Sequence, residues 1–276
     1  GAGLSGPTHR ARASRGASRI AVMSNNTRPP APKTLPVAET ARDVIDTMRA
    51  RGGGFGRAAL VPFAASFLVE GGLALLGQPV PALELAGFVV VAVATAMYLV
   101  DSHRIVLVGP DAATRLPRFR PDARDGRYLV RAVLVGLIVA LALALPVIVL
   151  APGFGAIPGG VYILAVLVSL LGLCGFLAIG QKLPATAVDR DMTLAAAWHS
   201  TKARLTGLLG LVVVLLAPLH LAATAAAALY AAATLGSFPV IPPLLLSLAL
   251  QFAELTVFAT LLSVIYRRCS GVDVTV

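Results

Sequence analysis

Charged residues are scarce in this sequence for its length. Only 13% of its 276 residues are Asp, Glu, Lys or Arg, and 57% are hydrophobic, whereas a soluble domain carries about 25% charged residues. A soluble core cannot hide that much apolar surface. The apolar residues fall into blocks of about 20, the length that a helix needs to cross about 30 Å of hydrocarbon. The composition excludes a soluble globular protein and predicts an all-α integral membrane protein.

Residues that hold metals, cofactors or disulfides are also few. Cys174 lies inside an apolar block and Cys269 follows the last one, so they fit no metal spacing and are expected at different depths. Of the histidines in the apolar region, His103 and His199 fall at the inner interface and only His220 is intramembrane. The sequence contains no phosphate-cradling glycine loop and no HExxH or CxxC motif. We therefore expect no catalytic residue, no metal site and no cofactor.

The N-terminal residues 1–36 contain no acidic side chain. Five Arg, one Lys and many Ser, Pro, Gly and Ala predict a disordered basic tail. Met23 precedes a polar stretch, which makes it a candidate for the true start, with residues 1–22 as an upstream extension. A basic leader without acids also resembles an organelle transit peptide. The compact Ala-rich and Arg-rich composition favours a bacterial origin over that alternative.

Residues 37–51 have the pattern of a short amphipathic helix. Val37, Ala41 and Val44 recur at helical spacing, with charged residues between them. We expect this helix to lie on the inner membrane surface. The glycine run 52–54 is expected to end it before the first span.

The apolar blocks predict a bundle of about six transmembrane helices within residues 58–268, followed by a short tail, 269–276. Pro62, Pro146 and Pro218 lie inside the predicted spans, where neighbouring helices satisfy the freed carbonyls, and they predict kinks. The spans are predicted at residues 58–77, 83–103, 128–150, 160–181, 206–232 and 243–266.

The distribution of basic residues predicts the orientation of these spans. The links near 78–82, 151–159 and 233–242 contain no Lys or Arg. All 23 basic residues lie in the other segments, which share one face if the number of spans is even. The positive-inside rule makes that face cytoplasmic. We therefore predict a multi-pass protein of the bacterial cytoplasmic (inner) membrane with both termini inside.

Residues 191–205 predict a second amphipathic helix at the membrane surface. Asp191 is placed to cap it, and Leu194, Trp198 and Leu205 share a face. Trp198, the only tryptophan, is expected to anchor at the interface. Basic residues beside a membrane attract anionic lipid by about 1 kcal/mol each. The residues expected to contact headgroups are Trp198, Lys202, Arg204, Arg267 and Arg268.

Ionisable residues inside the spans interrupt this apolar pattern. Inserting a carboxylate at the centre of a membrane helix costs about 2.5 to 3.5 kcal/mol. With a rise of about 1.5 Å per residue, Glu70, His220 and Glu254 are predicted at nearly the same depth. Ser247, Gln251 and Glu254 form one polar stripe that must face protein or water. Glu70, His220, Gln251 and Glu254 are therefore the candidate intramembrane polar cluster.

This cluster has two interpretations. It can handle a proton, a cation or a polar solute, because carboxylates embedded in a membrane often mark functional sites. Alternatively, protonated Glu70 and Glu254 only donate hydrogen bonds across a helix interface, since burial raises a carboxyl pKa. A further acid, Glu84, falls near the outer end of its span, where exposure to water explains it.

Three short segments resemble a known family. They are SHRIVLVG at 102–109, TLAAAWHSTKARLTGLLGL at 193–211 and IYRR at 265–268. The layout of most of residues 37–270 resembles the uncharacterised bacterial six-span proteins related to the glycerophosphodiester phosphodiesterase membrane-domain family. In that family the membrane region can accompany a separate catalytic barrel, and this chain has none. The resemblance therefore implies the architecture and no catalytic residue.

These patterns leave three hypotheses about function. The leading one is a non-enzymatic membrane protein that serves as an accessory, assembly or stabilising subunit of a larger complex. It is expected to bind the bilayer, including anionic headgroups, and other membrane-protein subunits, but no nucleic acid. The alternative is a small transporter or channel for a proton, cation or small polar solute that uses Glu70, Glu254 and His220. A membrane-embedded lipid enzyme is the third.

Overall fold

The protein is an all-α, multi-pass membrane protein, as its composition predicts. The computed structural model describes residues 35–76, 80–109, 112, 117–236 and 239–270. In these ranges all regular structure is helical. The helices are α1 (Val37–Leu76), α2 (Pro81–Leu107), α3 (Ala123–Gly155), α4 (Gly160–Ile179), α5 (Lys182–Ala187), α6 (Leu194–Thr201), α7 (Leu205–Leu211), α8 (Ala217–Leu235) and α9 (Ile241–Ser270).

The described residues contain six helical segments that are long and apolar enough to cross a membrane. Five of them are α1, α2, α3, α4 and α9, and the sixth is the composite segment Leu194–Leu235, which contains α6, α7 and α8. Six spans agree with the sequence-based prediction. Nearly all of the predicted tail 1–36, including Met23, and the last residues, 271–276, lie outside the described ranges.

Local capping chemistry explains where several helices begin. α2 begins at Pro81, whose missing N–H is not needed in a first turn. α3 follows a capping box in which the Asp122 carboxylate accepts from the Arg124 and Asp125 N–H groups and the Asp125 carboxylate accepts from the Asp122 N–H. Thr193 caps α6 by accepting from the Ala196 N–H at 3.1 Å. The prediction that Asp191 caps this helix was therefore wrong.

The prediction that glycines 52–54 end the first helix was also wrong, because α1 runs through them without a break. Each glycine costs about 1 kcal/mol of helix propensity relative to alanine but creates no steric conflict. Phe55 and Ala58 follow directly and are buried, so packing of the continued helix outweighs that cost.

The amphipathic first part of α1 packs against the protein. Val44 is completely buried, and Arg51 donates a hydrogen bond to the carbonyl of Ile105 in α2. A Cβ atom on Gly210 of α7 would lie 3.0 Å from the Val37 side chain, which shows how closely the two helices approach. The apolar face of this segment therefore contacts neighbouring helices, whereas the sequence predicted contact with lipid.

α9 is the central helix of the bundle. Half of its apolar window is buried, compared with 11% of that of α3, and it packs against α1, α2, α5 and α8. Phe252 contacts Phe63 of α1 and Tyr98 of α2, with ring centroids 5.5 Å and 5.2 Å apart. α3 and α4 pack as a hairpin whose outer surface is apolar and exposed.

The composite span changes its helical pitch in front of Pro218. A π-helical turn, Val212–Leu216, separates α7 from α8, and Pro218 lies in the first turn of α8. Proline has no N–H and its ring collides with the carbonyl four residues earlier, so a wider turn relieves the conflict. The irregularity that Pro218 predicts is therefore a local π turn, which ends four residues before His220.

The contact between α1 and α2 at Gly87 provides a test of this packing. A Cβ atom on Gly87 would lie 2.6 Å from Cγ1 of Val69. We expect Gly87→Leu to push the two helices apart and to lower the free energy of unfolding by about 1 to 3 kcal/mol. The thermal unfolding midpoint in detergent micelles measures the effect.

Gly72→Leu is the matched control, because Gly72 lies on the same pair of helices and a Cβ there would meet nothing within 4 Å. Equal midpoints for the two variants would contradict the packing.

Candidate functional site

The structure brings two of the four predicted intramembrane residues into direct contact. Nδ1 of His220 on α8 lies 2.8 Å from Oε1 of Glu254 on α9. Both side chains are mostly covered, with 27% and 18% of their surface exposed. The hydrogen bond to His220 offsets part of the cost of placing the Glu254 carboxyl group inside a span.

Glu70 lies at a different level from this pair. In the antiparallel packing of α1 and α9, Phe63 contacts Phe252 and Gly71 faces Leu244. This register places Glu70 opposite Leu245, nine residues before Glu254. At about 1.5 Å per residue, Glu70 is separated from the pair by about 13 Å along the helix axis.

A contact with α8 gives the same result. The Tyr230 hydroxyl donates to the backbone carbonyl of Glu70 at 3.3 Å, and Tyr230 lies ten residues beyond His220 on that helix. The prediction that Glu70, His220 and Glu254 share a depth was therefore wrong. The prediction measured depth from span edges at residues 58 and 243. The first of these edges is absent from the structure, because α1 continues through residue 58 without a break.

Gln251 completes a polar patch on the surface formed by α8 and α9. Its side chain is exposed and lies one turn from Glu254 on the same side of α9. We call His220, Gln251 and Glu254 the α8–α9 polar patch. An amide has two donors and an acceptor, and acyl chains can satisfy none of them. The patch is thus incompletely covered by the rest of this chain.

A row of small residues follows His220 along α8. Thr224, Ala227 and Ala231 follow His220 at intervals of four, three and four residues, the spacing of one helix face. All three are exposed, whereas Ala226 on another face is buried. Small side chains let another helix approach closely in a membrane.

The residues predicted to contact headgroups lie at one end of the bundle, which we call the basic end. This end consists of the first turns of α1 and α3, the whole of α5 and α6, and the last turns of α2 and α9. Trp198 and Lys202 are exposed there, and Arg204 donates to the carbonyl of Ser200. Arg268 donates to the carboxylate of Asp43, with its Nη2 2.5 Å from Oδ2. Arg268 therefore holds α9 to α1. The remaining predicted contact, Arg267, is partly exposed.

A fully buried hydrogen-bonded chain near the basic end was not predicted from the sequence. Nδ1 of His103 lies 2.7 Å from the Ser263 hydroxyl, and Nε2 lies 3.0 Å from the Tyr128 hydroxyl. Ser263 gives its own proton to the carbonyl of Ala259, so it accepts from Nδ1–H. His103 is completely buried, which favours the neutral imidazole, and a neutral His103 accepts at Nε2 from the Tyr128 hydroxyl. His103 thus joins α2, α3 and α9 at a seam.

A sequence signal for this chain was present. Thr256, Thr260 and Ser263 repeat at intervals of four and three residues and form a second polar stripe, on the opposite side of α9 from Ser247, Gln251 and Glu254. What the sequence did not show was which neighbouring helices carry the partners.

Arg118 organises a second polar cluster at the basic end. Its guanidinium binds the carboxylate of Asp125 through Nη2 at 2.8 Å and Nη1 at 3.0 Å, and Nε donates to Asp101 at 3.0 Å. Burial by itself lowers the pKa of Arg118, but the hydrogen bonds and charges of Asp125 and Asp101 outweigh it and raise the pKa above the ordinary value. The cluster ties the end of α2 to the start of α3.

None of these polar groups, which are the α8–α9 polar patch, the His103 chain and the Arg118 cluster, has the ligands of a metal site. In the part of the chain that the structure describes, no three His, Cys, Asp or Glu side chains converge to hold a metal ion. The buried His103 chain has no exposed member. In the described ranges, the α8–α9 polar patch combines an interhelical hydrogen-bonded pair with an exposed amide inside a span, and it is therefore the candidate site.

Replacing Arg118 tests the cluster at the basic end. Arg118→Ala leaves Asp125 and Asp101 buried without their cation, and breaking a buried pair in this way costs about 3 to 5 kcal/mol. We expect a lower unfolding midpoint in detergent. Arg120→Ala, two residues away at an exposed position, is the control and should leave the midpoint unchanged; a similar loss in both variants would contradict the role of Arg118.

Comparison with known proteins adds no relative to this description. No protein family, curated protein or solved structure matches the chain. The resemblance to the six-span family related to the glycerophosphodiester phosphodiesterase membrane domain stays a prediction.

Proposed function

We propose that the protein is a non-enzymatic accessory or assembly subunit that binds a transmembrane helix of another membrane protein. The observation that carries the proposal is the exposed amide of Gln251 beside the His220–Glu254 pair, within an apolar span. Lipid cannot satisfy this amide, whereas a polar side chain on a neighbouring helix can.

The surface around the patch fits a helix as its occupant. The exposed small residues Thr224, Ala227 and Ala231 allow two helix backbones to come close. The His220–Glu254 pair and the Gln251 amide would then supply hydrogen bonds across the contact. Gln251 and Glu254 lie along one side of α9, and His220 of α8 contacts Glu254. The patch therefore fits a helix that runs beside α8 and α9.

A different protein fits this surface better than a second copy of the chain. A two-fold dimer buries the same surface patch of both copies at one depth of the membrane. Two Glu254 carboxyl groups would then lie in one interface, and like carboxyl groups in a low-dielectric interface are unfavourable. A partner helix with a hydrogen-bond donor avoids this conflict.

The proposal includes an orientation, with the basic end cytoplasmic in the bacterial inner membrane. The positive-inside rule supports it, since all 23 basic residues lie outside the three links that lack Lys and Arg. A reporter fused after Val276 should behave as cytoplasmic, and one inserted at Gly155 as external. The reverse pattern would contradict the orientation.

Site-specific photo-crosslinking in the intact membrane tests partner binding. A photoreactive residue in place of Ala227 should give a product whose added mass is that of a second, different polypeptide. The same residue in place of Ala140, which is exposed on α3, is the control and should react only with lipid. A product of twice the mass of this chain would identify a self-dimer and overturn the proposal.

Gln251→Leu should weaken the same interaction. One interhelical hydrogen bond in a membrane contributes about 1 kcal/mol, so we expect about fivefold less partner recovered in mild detergent. Unchanged recovery would show that the amide has no role in the contact.

One observation favours transport as the second candidate function. His220 of the His220–Glu254 pair lies one helical turn after a π turn, and such turns often occur at functional sites. A path for a proton or cation would also have to bridge the distance of about 13 Å to Glu70. Glu254→Gln and Glu70→Gln variants that leave proton and solute flux in vesicles unchanged would dispose of this candidate.

A further inference from the structure

A polar cavity of about 380 Å³ opens at the basic end, beside the first turns of α3. One wall is formed by α3 and the other by the end of α5 and the link to α6. Three arginines, two aspartates and a threonine line it: Arg127, Arg131, Thr186, Asp189, Arg190 and Asp191.

Most of the guanidinium donors in this cavity are unused. Arg127 gives one hydrogen bond to Asp189, at 2.9 Å. Arg131 donates to the Thr186 hydroxyl at 2.6 Å and to Asp191 at 3.4 Å. Arg190 is exposed, and its side chain has no hydrogen bond or ion pair with any residue that the structure describes. Each guanidinium has five N–H donors, so several remain for an anion.

The aspartates hold the arginines in place without neutralising the cavity. Asp189 accepts from Arg124 as well as Arg127, with Nη2 of Arg124 at 2.5 Å. The hydrogen bond from Arg124 holds the pKa of Asp189 below its ordinary value. Asp191 is almost fully exposed at its side chain and bonds only weakly to Arg131. The lining therefore carries one more positive charge than negative.

An apolar track leads away from the cavity along α3. Leu134, Ile138 and Leu141 follow Arg127 and Arg131 at intervals of three and four residues, which places them on the same face of the helix. All three are exposed. The arginines therefore lie at the level where the apolar part of the span begins, and the track continues into the hydrocarbon.

We propose that this cavity binds the phosphate headgroup of an anionic phospholipid, whose acyl chains lie along the apolar track of α3. Guanidinium groups pair with phosphate oxygens through two parallel hydrogen bonds. A free phosphate shares that chemistry, but only a lipid also covers Leu134, Ile138 and Leu141. This inference does not rest on the proposed partner helix, because the two surfaces belong to different helices.

Native mass spectrometry of the full chain in detergent measures the binding. The probes are short-chain phosphatidylglycerol, short-chain phosphatidylcholine, glycerol phosphate and inorganic phosphate. We expect phosphatidylglycerol to bind most tightly, because it combines net negative charge with acyl chains. Equal affinity for glycerol phosphate or inorganic phosphate would overturn the assignment to a lipid, and equal affinity for phosphatidylcholine would overturn the preference for an anionic headgroup.

Arg190→Gln is the main variant, because this side chain supports no other described residue. A basic residue near a membrane surface changes the affinity for anionic lipid about fivefold, so phosphatidylglycerol should bind about fivefold more weakly. Arg190→Lys should restore most of the affinity. Asp191→Asn should act in the opposite direction, up to about fivefold tighter, because it frees Arg131.

Arg42→Gln and Asp46→Asn are the matched controls, since both residues are exposed on α1 at the same end of the bundle. We expect each control to change the affinity less than twofold. Equal effects at the cavity and at α1 would show that net charge alone attracts the lipid, and this result would overturn the site. Unaltered binding in Arg190→Gln would overturn it as well.

Discussion

Hydrocarbon offers no hydrogen-bond partner, and most features of this protein follow from that constraint. Backbone groups are satisfied within the helices, and two hydroxyl side chains on α9 bond back to their own helix, Ser263 to Ala259 and Thr256 to Phe252. Side chains with more hydrogen-bonding capacity need a partner on another helix. His103 finds two, and with them it fixes the mutual positions of α2, α3 and α9.

The same constraint separates the two ends of the bundle. At the basic end, ion pairs hold the helices together: Arg118 joins α2 to α3, Arg124 joins α3 to the link after α5, and Arg268 joins α9 to α1. Toward the other end, packing depends on apolar contacts and close approaches such as Gly87 to Val69. The α8–α9 polar patch between them is only partly covered, which is why we propose it as the binding surface.

The sequence predicted the helical class, six spans and a polar stripe on α9, because composition and helical periodicity report these directly. It failed where the answer depends on a neighbouring helix. Glu70 was placed level with His220 from the span edges, whereas the register between α1 and α9 separates them. The sequence also did not show that Arg268 pairs with Asp43, which lies more than 200 positions away in the chain.

The sequence alone determined that most of this chain lies in a bilayer. Its apolar blocks have the length of membrane spans, and its basic residues avoid three of the links. Only the tertiary structure decided which polar groups meet. A helix fixes the direction and spacing of its own side chains, but rotation and register against neighbours decide whether a residue such as His220, His103 or Gln251 is paired, buried or exposed. Those relations come from packing, and the periodicity of one segment does not contain them.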